Sequence, residues 1–113
     1  MRRETRLWIA QRASAAVLAL CVVVHLATVI YAIRGGLSAA EILGRTRGNF
    51  AWLGFYSLFV LAVSVHAATG LRAVCAEWLA WTGRSRDFAL LGLALALGWL
   101  GLRAVFGVFG GAA

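Results

Sequence analysis

Two histidines, His25 and His66, carry the most reactive side chains in this sequence. Each lies inside a long run of apolar residues, where an ionisable group is costly and usually serves a function. A neutral imidazole is a good ligand for iron, and helical bundles build cofactor sites from facing side chains. The histidines therefore raise the hypothesis of a haem site. The alternative is a pair of structural histidines that hydrogen-bond to neighbouring helices.

Small residues surround His66 on the same helical face. Ala62, Thr69 and Gly70 lie one turn away, and Ala73 lies two turns away. Side chains of this size predict a shallow slot in which a flat group could approach the helix backbone.

Other chemistry finds little support in the sequence. It contains no His/Glu/Asp cluster and no Cys-x-x-Cys, so the residues do not favour a zinc site. It also lacks a Ser/His/Asp set and a phosphate-binding glycine loop. Cys21 and Cys75 are expected at different depths, which argues against a disulfide; both are expected to be small buried hydrophobic residues.

Composition places most of the chain in a membrane. The 113 residues are 63% hydrophobic and 13% charged, with no proline. Segments of about 11–33, 50–80 and 88–109 each reach the ~20 residues needed to cross a ~30 Å hydrocarbon core. The predicted fold is an all-α membrane protein, a single transmembrane domain over residues 1–113 with three transmembrane helices.

The segments between the spans are short and polar. Ser38 and Glu41 have the spacing of a helix capping box, so a short interfacial helix is predicted over Leu37–Leu43, in the outer loop. Residues 44–49 and 82–87 are predicted as polar turns.

The net charge of +7 comes from eleven arginines and no lysine. They lie mainly at the ends of the apolar segments, which indicates membrane topology and headgroup contact, and no nucleic-acid partner is expected. In a three-span protein, the side of the N-terminus holds Arg2, Arg3, Arg6, Arg12, Arg72, Arg84 and Arg86. The other side holds Arg34, Arg45, Arg47 and Arg103. This bias predicts a cytoplasmic N-terminus.

The two histidines are predicted at different depths in the membrane. His25 lies past the middle of its span toward the outside, and His66 lies past the middle of its span toward the inside. At 1.5 Å per residue, the two side chains differ by about 12–15 Å along the membrane normal. One haem needs both axial ligands at nearly one depth. The chain is therefore predicted to offer one ligand to each of two haems, or one haem ligand and one structural histidine.

The segment around His66 resembles a known family. Residues 66–72, HAATGLR, followed by Glu77 and Trp78, resemble the His-x-x-x-Gly-x-Arg segment in the second span of the cytochrome b membrane anchors of succinate dehydrogenase and fumarate reductase. The resemblance implies that His66 is an axial ligand of haem b. Arg72, on the inner side, could pair with a propionate of the inner haem, orient a quinone, or simply reach the lipid headgroups. Trp78, near the inner surface, could line a quinone pocket or dock soluble subunits.

Residues 11–15, QRASA, resemble the family's Ser-x-x-His-Arg-x-Ser-Gly motif, with Trp8 in place of its first serine, Gln11 in place of its histidine and Ala15 in place of its glycine. The resemblance implies that Arg12 lies by the quinone site and a haem propionate, with Ser14 in the same neighbourhood.

The outer side offers weaker candidates. Arg45 and Arg47 could pair with a propionate or orient a quinone, and Glu41 could exchange protons with a quinone or simply cap the short helix.

The presence of His25 in one span and His66 in the next resembles the two-haem branch of that family, in which one ligand lies near each face. The resemblance implies a non-catalytic anchor subunit of a bacterial cytoplasmic-membrane complex, with one or two haems b shared with a partner subunit. The implied partners are a second anchor, an iron–sulfur subunit, a flavoprotein subunit, the lipid bilayer, and ubiquinone or menaquinone as substrate.

Two other functions remain open at this point. One is an anchor that docks soluble subunits without haem. The other is a small proton-coupled transporter, which would need an intramembrane carboxylate; none of the four carboxylates is predicted to lie in the middle of a span.

Overall fold

A computed structural model describes residues 2–36 and 38–110, and every regular element in them is helical. The helices are α1 (Arg3–Gly35), α2 (Ala39–Thr46), α3 (Phe50–Leu79) and α4 (Arg84–Gly110). Three of them, α1, α3 and α4, are long and apolar enough to cross a membrane. The predicted all-α class with three transmembrane helices and one short helix between the first two is confirmed.

Two of the long helices, α1 and α4, extend beyond the predicted spans, whereas α3 matches its predicted span to within one residue. α1 begins at Arg3, so the basic head is helical. α4 begins at Arg84, so the predicted turn over 82–87 is wrong for residues 84–87. Glu4 and Asp87 lie in the first turns of these helices. A carboxylate there is favoured by the partial positive charge of the helix N-terminus, which helps these polar ends to stay helical.

Helix α2 is displaced toward the C-terminus from its predicted bounds. The Ser38 side chain accepts a hydrogen bond from the Glu41 backbone N–H, as the capping spacing predicted. The helix begins at Ala39, Leu37 lies outside the described residues, and the last turn continues to Thr46. The Thr46 hydroxyl contacts the carbonyls of Ile42 and Val108, each at 3.0 Å. This contact with α4 stabilises the extra turn that local sequence did not predict.

Helix α3 is central, since it packs against both α1 and α4. The bundle runs up, down and up: the start of α1 meets the end of α3, and Gly48 donates its N–H to the Phe109 carbonyl at the other end. We call these the N-terminal end and the α2 end of the bundle. Between α3 and α4, a methyl group at Gly101 would lie 2.6 Å from Cγ1 of Val60.

The interior of the bundle is thin. The buried apolar side chains among the described residues are mostly small, whereas many large ones face outward. Close approach of helices through small residues is typical of membrane proteins. Lipid is as apolar as the helix surfaces, so no hydrophobic force drives the helices together and close packing must hold them. Cys21 and Cys75 are both buried and free, as predicted.

Five charged residues at the N-terminal end join the three long helices, and we call them the N-terminal charge cluster. Asp87 lies 2.9 Å from Nη2 of Arg86 and 3.2 Å from Nη2 of Arg3. Arg72 lies 3.2 Å from Glu4 and 3.9 Å from Asp87. Arg86 is buried, with 5% of its surface exposed. Asp87 is therefore the carboxylate shared by all three helices.

Replacing Gly101 by alanine should loosen the α3–α4 contact. The added methyl group would overlap Val60, whose β-branched side chain has little freedom to move in a helix. We expect a loss of about 1–3 kcal/mol, the usual cost of overpacking. Thermal unfolding of the detergent-purified complex measures it. Gly92→Ala on the same helix is the matched control, because nothing lies within 4 Å of its added methyl group. Equal melting temperatures for the two variants would contradict this packing.

Removing the charge of Asp87 should cost more stability than removing that of Glu4. Asp87→Asn leaves the buried Arg86 without its carboxylate, so we expect this variant to lose the more stability of the two. Glu4 is an exposed partner, its side chain 74% accessible, so Glu4→Gln should cost less than about 1 kcal/mol. Chemical unfolding of both variants makes the comparison, and a greater loss in Glu4→Gln would show that the cluster does not depend on Asp87.

Candidate functional site

His66 lies in the half of α3 nearer the N-terminal end, and its ring faces α1. Its Nδ1 atom is 3.5 Å from Oγ of Ser14, a buried residue with 7% of its surface exposed. The Ser14 hydroxyl donates its proton to the Gln11 carbonyl, 3.0 Å away within its own helix. Of the residues predicted to surround a cofactor, Ser14 is the one that the structure brings into contact with His66.

The slot predicted beside His66 is partly filled by this chain itself. The Gln11 side chain accepts a hydrogen bond from the Thr69 hydroxyl, and its Nε2 would lie 3.1 Å from a methyl group at Gly70. The prediction of an open slot is therefore wrong at Gly70. The small residue serves the close approach of α1. Ala62 is buried in the bundle, whereas Ala73 is exposed.

His25 has a different environment on α1. Its ring packs edge-on against Phe59 and Tyr56, with centroids 5.6 Å and 6.2 Å apart. Its Nδ1 atom is buried and has no hydrogen-bond partner among the described residues. Aromatic residues in membrane proteins commonly serve packing and the membrane interface. Their contact with the imidazole was not anticipated from the sequence.

The contacts place the two imidazoles at different levels of the bundle. Ser14, which marks the level of His66 on α1, precedes His25 by 11 residues, about 16 Å of helix. On α3, Phe59 marks the level of His25 and precedes His66 by 7 residues, about 10 Å. This agrees with the difference in depth expected from the sequence, and it is too large for both rings to ligate one iron atom.

The other candidates at the N-terminal end lie away from His66. The Arg12 guanidinium is exposed and lies 5.2 Å from the ring centroid of Trp8. Arg72 belongs to the N-terminal charge cluster, and Trp78 is 81% exposed on the outer surface of α3. The structure therefore separates these three side chains from the imidazole and leaves Arg12 and Trp78 facing outward.

The candidates at the α2 end do not converge on His25. Arg45 lies over the ring of Tyr31, 5.4 Å from its centroid, six residues farther along α1 than His25. Arg45 and Tyr31 line an open groove of about 580 Å³ between α1, α2 and α3. Glu41 and Arg47 are exposed at the two ends of α2.

Sequence reasoning missed two residues that matter for this arrangement. Gln11 was noted only as a departure from a motif, although it joins α1 to α3 through Thr69. Arg86 was counted among loop charges, yet it is buried. Two features of the sequence could have pointed to these residues. Gln11 is an amide at the start of the first apolar segment, and Arg86 stands next to Asp87 at the start of the third.

The donor set can be tested against a haem. A ligating histidine usually gives its second ring N–H to a fixed acceptor, which orients the ring. Oγ of Ser14, 3.5 Å from Nδ1 of His66, is placed to be that acceptor when Nδ1 carries the proton, and no group among the described residues hydrogen-bonds to Nε2. His66 therefore fits an iron ligand. His25 offers a buried imidazole without such an acceptor in the described part of the chain, so its second partner would have to come from another subunit.

Comparison with known proteins supports the same assignment of the chain. Residues 1–106 match the family model described as succinate dehydrogenase/fumarate reductase transmembrane subunit. No individually curated protein and no solved structure matches the chain significantly. The family match covers nearly the whole length, with all of α1 and α3 and most of α4. The chain therefore belongs to the family of transmembrane subunits of succinate dehydrogenase and fumarate reductase.

Proposed function

We propose that this chain is a haem b-binding anchor subunit of a succinate:quinone oxidoreductase, with His66 as one axial ligand. The observation that carries the proposal is an imidazole inside a membrane-spanning helix whose Nδ1 faces a fixed serine hydroxyl and whose Nε2 has no hydrogen-bond partner in the described residues. In a family of succinate dehydrogenase and fumarate reductase membrane subunits, an iron porphyrin is the group that best explains it.

When bound, the haem would supply one-electron chemistry between the iron–sulfur subunit and a membrane quinone. The chain's own residues would hold the ligand ring, orient it and set the surrounding polarity, which is the usual division of work between protein and cofactor. The chain would be a non-catalytic subunit, with the succinate or fumarate chemistry on the flavoprotein subunit.

A second haem b at His25 is part of the proposal. The two imidazoles lie too far apart along the bundle to share one iron, and a buried ring nitrogen without a partner costs about 1–3 kcal/mol. A ligand and a hydrogen-bond acceptor from a second anchor subunit would remove that cost. The same partner would supply the axial ligand opposite His66.

The exposed side chains at the N-terminal end suit contact with the quinone headgroup and with the soluble subunits. Arg12 and Trp78 both face outward there, close to the charged end of the bundle. At the α2 end, Arg45 could serve a quinone or the propionates of the second haem from its groove, and Arg47 and Glu41 would have supporting roles. The quinone would be ubiquinone or menaquinone.

The proposed location is the bacterial cytoplasmic membrane, and the arginine bias supports an N-terminus in the cytoplasm. The soluble subunits would then dock at the N-terminal end. A proton-coupled transporter is not favoured, because Glu4, Glu41, Glu77 and Asp87 all lie near helix ends and the family match points elsewhere.

The proposal predicts a b-type signal in the reduced-minus-oxidised visible spectrum of the purified complex. Replacing His66 by alanine should remove one haem component, because the iron loses an axial ligand. His25→Ala should remove or perturb the other component. Redox titration of the spectrum separates the two components.

Tyr56→Phe is the control for His25→Ala, since it keeps the ring that packs against the imidazole. A wild-type complex without any b-type signal would leave a haem-free anchor as the function. Loss of the same component in both histidine variants would contradict the two-level arrangement, and an unchanged spectrum in His25→Ala would limit the chain to one haem.

A further inference from the structure

We infer that Ser14 is a positioning residue for the proposed haem ligand: it fixes the tautomer and orientation of His66 and lowers the reduction potential of the haem bound there. The inference rests on the proposed function, because it concerns the same imidazole. It assigns to Ser14 a role different from the contact with a propionate or quinone that the sequence resemblance implied.

The Ser14 hydroxyl has only one proton to give. That proton points to the Gln11 carbonyl, 3.0 Å away in the preceding turn of α1. A hydroxyl also has two acceptor lone pairs, so toward His66 the Ser14 oxygen acts as an acceptor. The ring nitrogen that faces it, Nδ1, must then carry the N–H. In a neutral imidazole this leaves the lone pair on Nε2, the atom available to iron.

The position of Ser14 is itself fixed by contacts on both sides. Its side chain is buried, with 7% of the residue exposed. One turn earlier on α1, the Gln11 side chain lies against Gly70 and accepts a hydrogen bond from the Thr69 hydroxyl. These contacts hold this part of α1 against the turn of α3 that follows His66. The serine oxygen is therefore a fixed reference point, because the helix that carries it cannot easily turn or slide.

An acceptor on the second ring nitrogen changes the ligand electronically. A hydrogen bond from Nδ1–H makes the imidazole a stronger base toward the metal. A more basic ligand favours ferric over ferrous iron, which lowers the reduction potential. The 3.5 Å separation between Nδ1 and the serine oxygen is at the long end of hydrogen bonding. Such contacts are often long without the bound group and tighten when it is present.

The test replaces Ser14 by alanine and by threonine in the complete complex. Ser14→Ala should retain haem, as measured by the pyridine haemochrome assay, but raise the midpoint potential of one component and shift its largest g value in the ferric EPR spectrum. Ser14→Thr keeps a hydroxyl on the same carbon and should restore both values. If Ser14→Ala does not assemble, Ser14→Cys, with a weaker acceptor of similar size, should shift the potential in the same direction.

Ser64→Ala is the matched control. Ser64 is as buried as Ser14, at 7%, and its hydroxyl also donates to a carbonyl of its own helix, Val60 at 2.8 Å. It lies beside Gly98 of α4, so its loss should leave both haem potentials unchanged.

Two results would overturn the inference: no change in potential or g value in Ser14→Ala, or an equal change in Ser64→Ala. A failure of the proposed function is distinguishable, because it appears as a wild-type complex without haem or a His66→Ala variant that retains every component.

Discussion

The structure depends on the cost of leaving a polar group without a partner where no water is present. Several hydroxyls inside the long helices meet this constraint within their own helix: Thr28 and Ser64 each donate to the carbonyl four residues earlier, at 2.8 Å. Neither imidazole ring does so here, because Nδ1 of His66 faces Ser14 of another helix and Nδ1 of His25 has no partner among the described residues. The two histidines must therefore find their partners on another helix, another subunit or a cofactor.

The same constraint sorts the charged residues to the two ends of the bundle. The N-terminal charge cluster lets the buried guanidinium of Arg86 meet Asp87, and it brings Arg3 and Arg72 of two other helices to the same carboxylate. Such a cluster fixes the rotation of α1 and α4 about α3 at one end. The contact of α2 with the end of α4 does the same at the other. Between these ends, the helices are held by small residues and a few hydroxyls, and the level of each histidine is set by this rotation and register.

The sequence predicted the number and approximate position of the long helices, because length and hydropathy alone decide which segments can cross a membrane. It also predicted the Ser38 cap, which depends on a local spacing. It did not predict the helical ends at Arg3 and Arg84 or the extra turn to Thr46, since those depend on charge pairs and hydrogen bonds between helices. Gln11 was missed for the same reason: which side chain fills the space at Gly70 depends on how α1 and α3 are rotated against each other. The difference in level between the histidines needed only the rise per residue and the span centres.

The thinness of the bundle bears on where a haem could lie. The residues that α1 buries are small, and the side chain of Gln11 already occupies the space beside Gly70. The grooves along the described helices are open to the outside, including the apolar one of about 460 Å³ beside Tyr56 and Phe59. A group as wide as a porphyrin would therefore lie on an outer face of the bundle, with another subunit covering its far side. A shared haem of this kind would explain why each imidazole finds so few partners in the described part of its own chain.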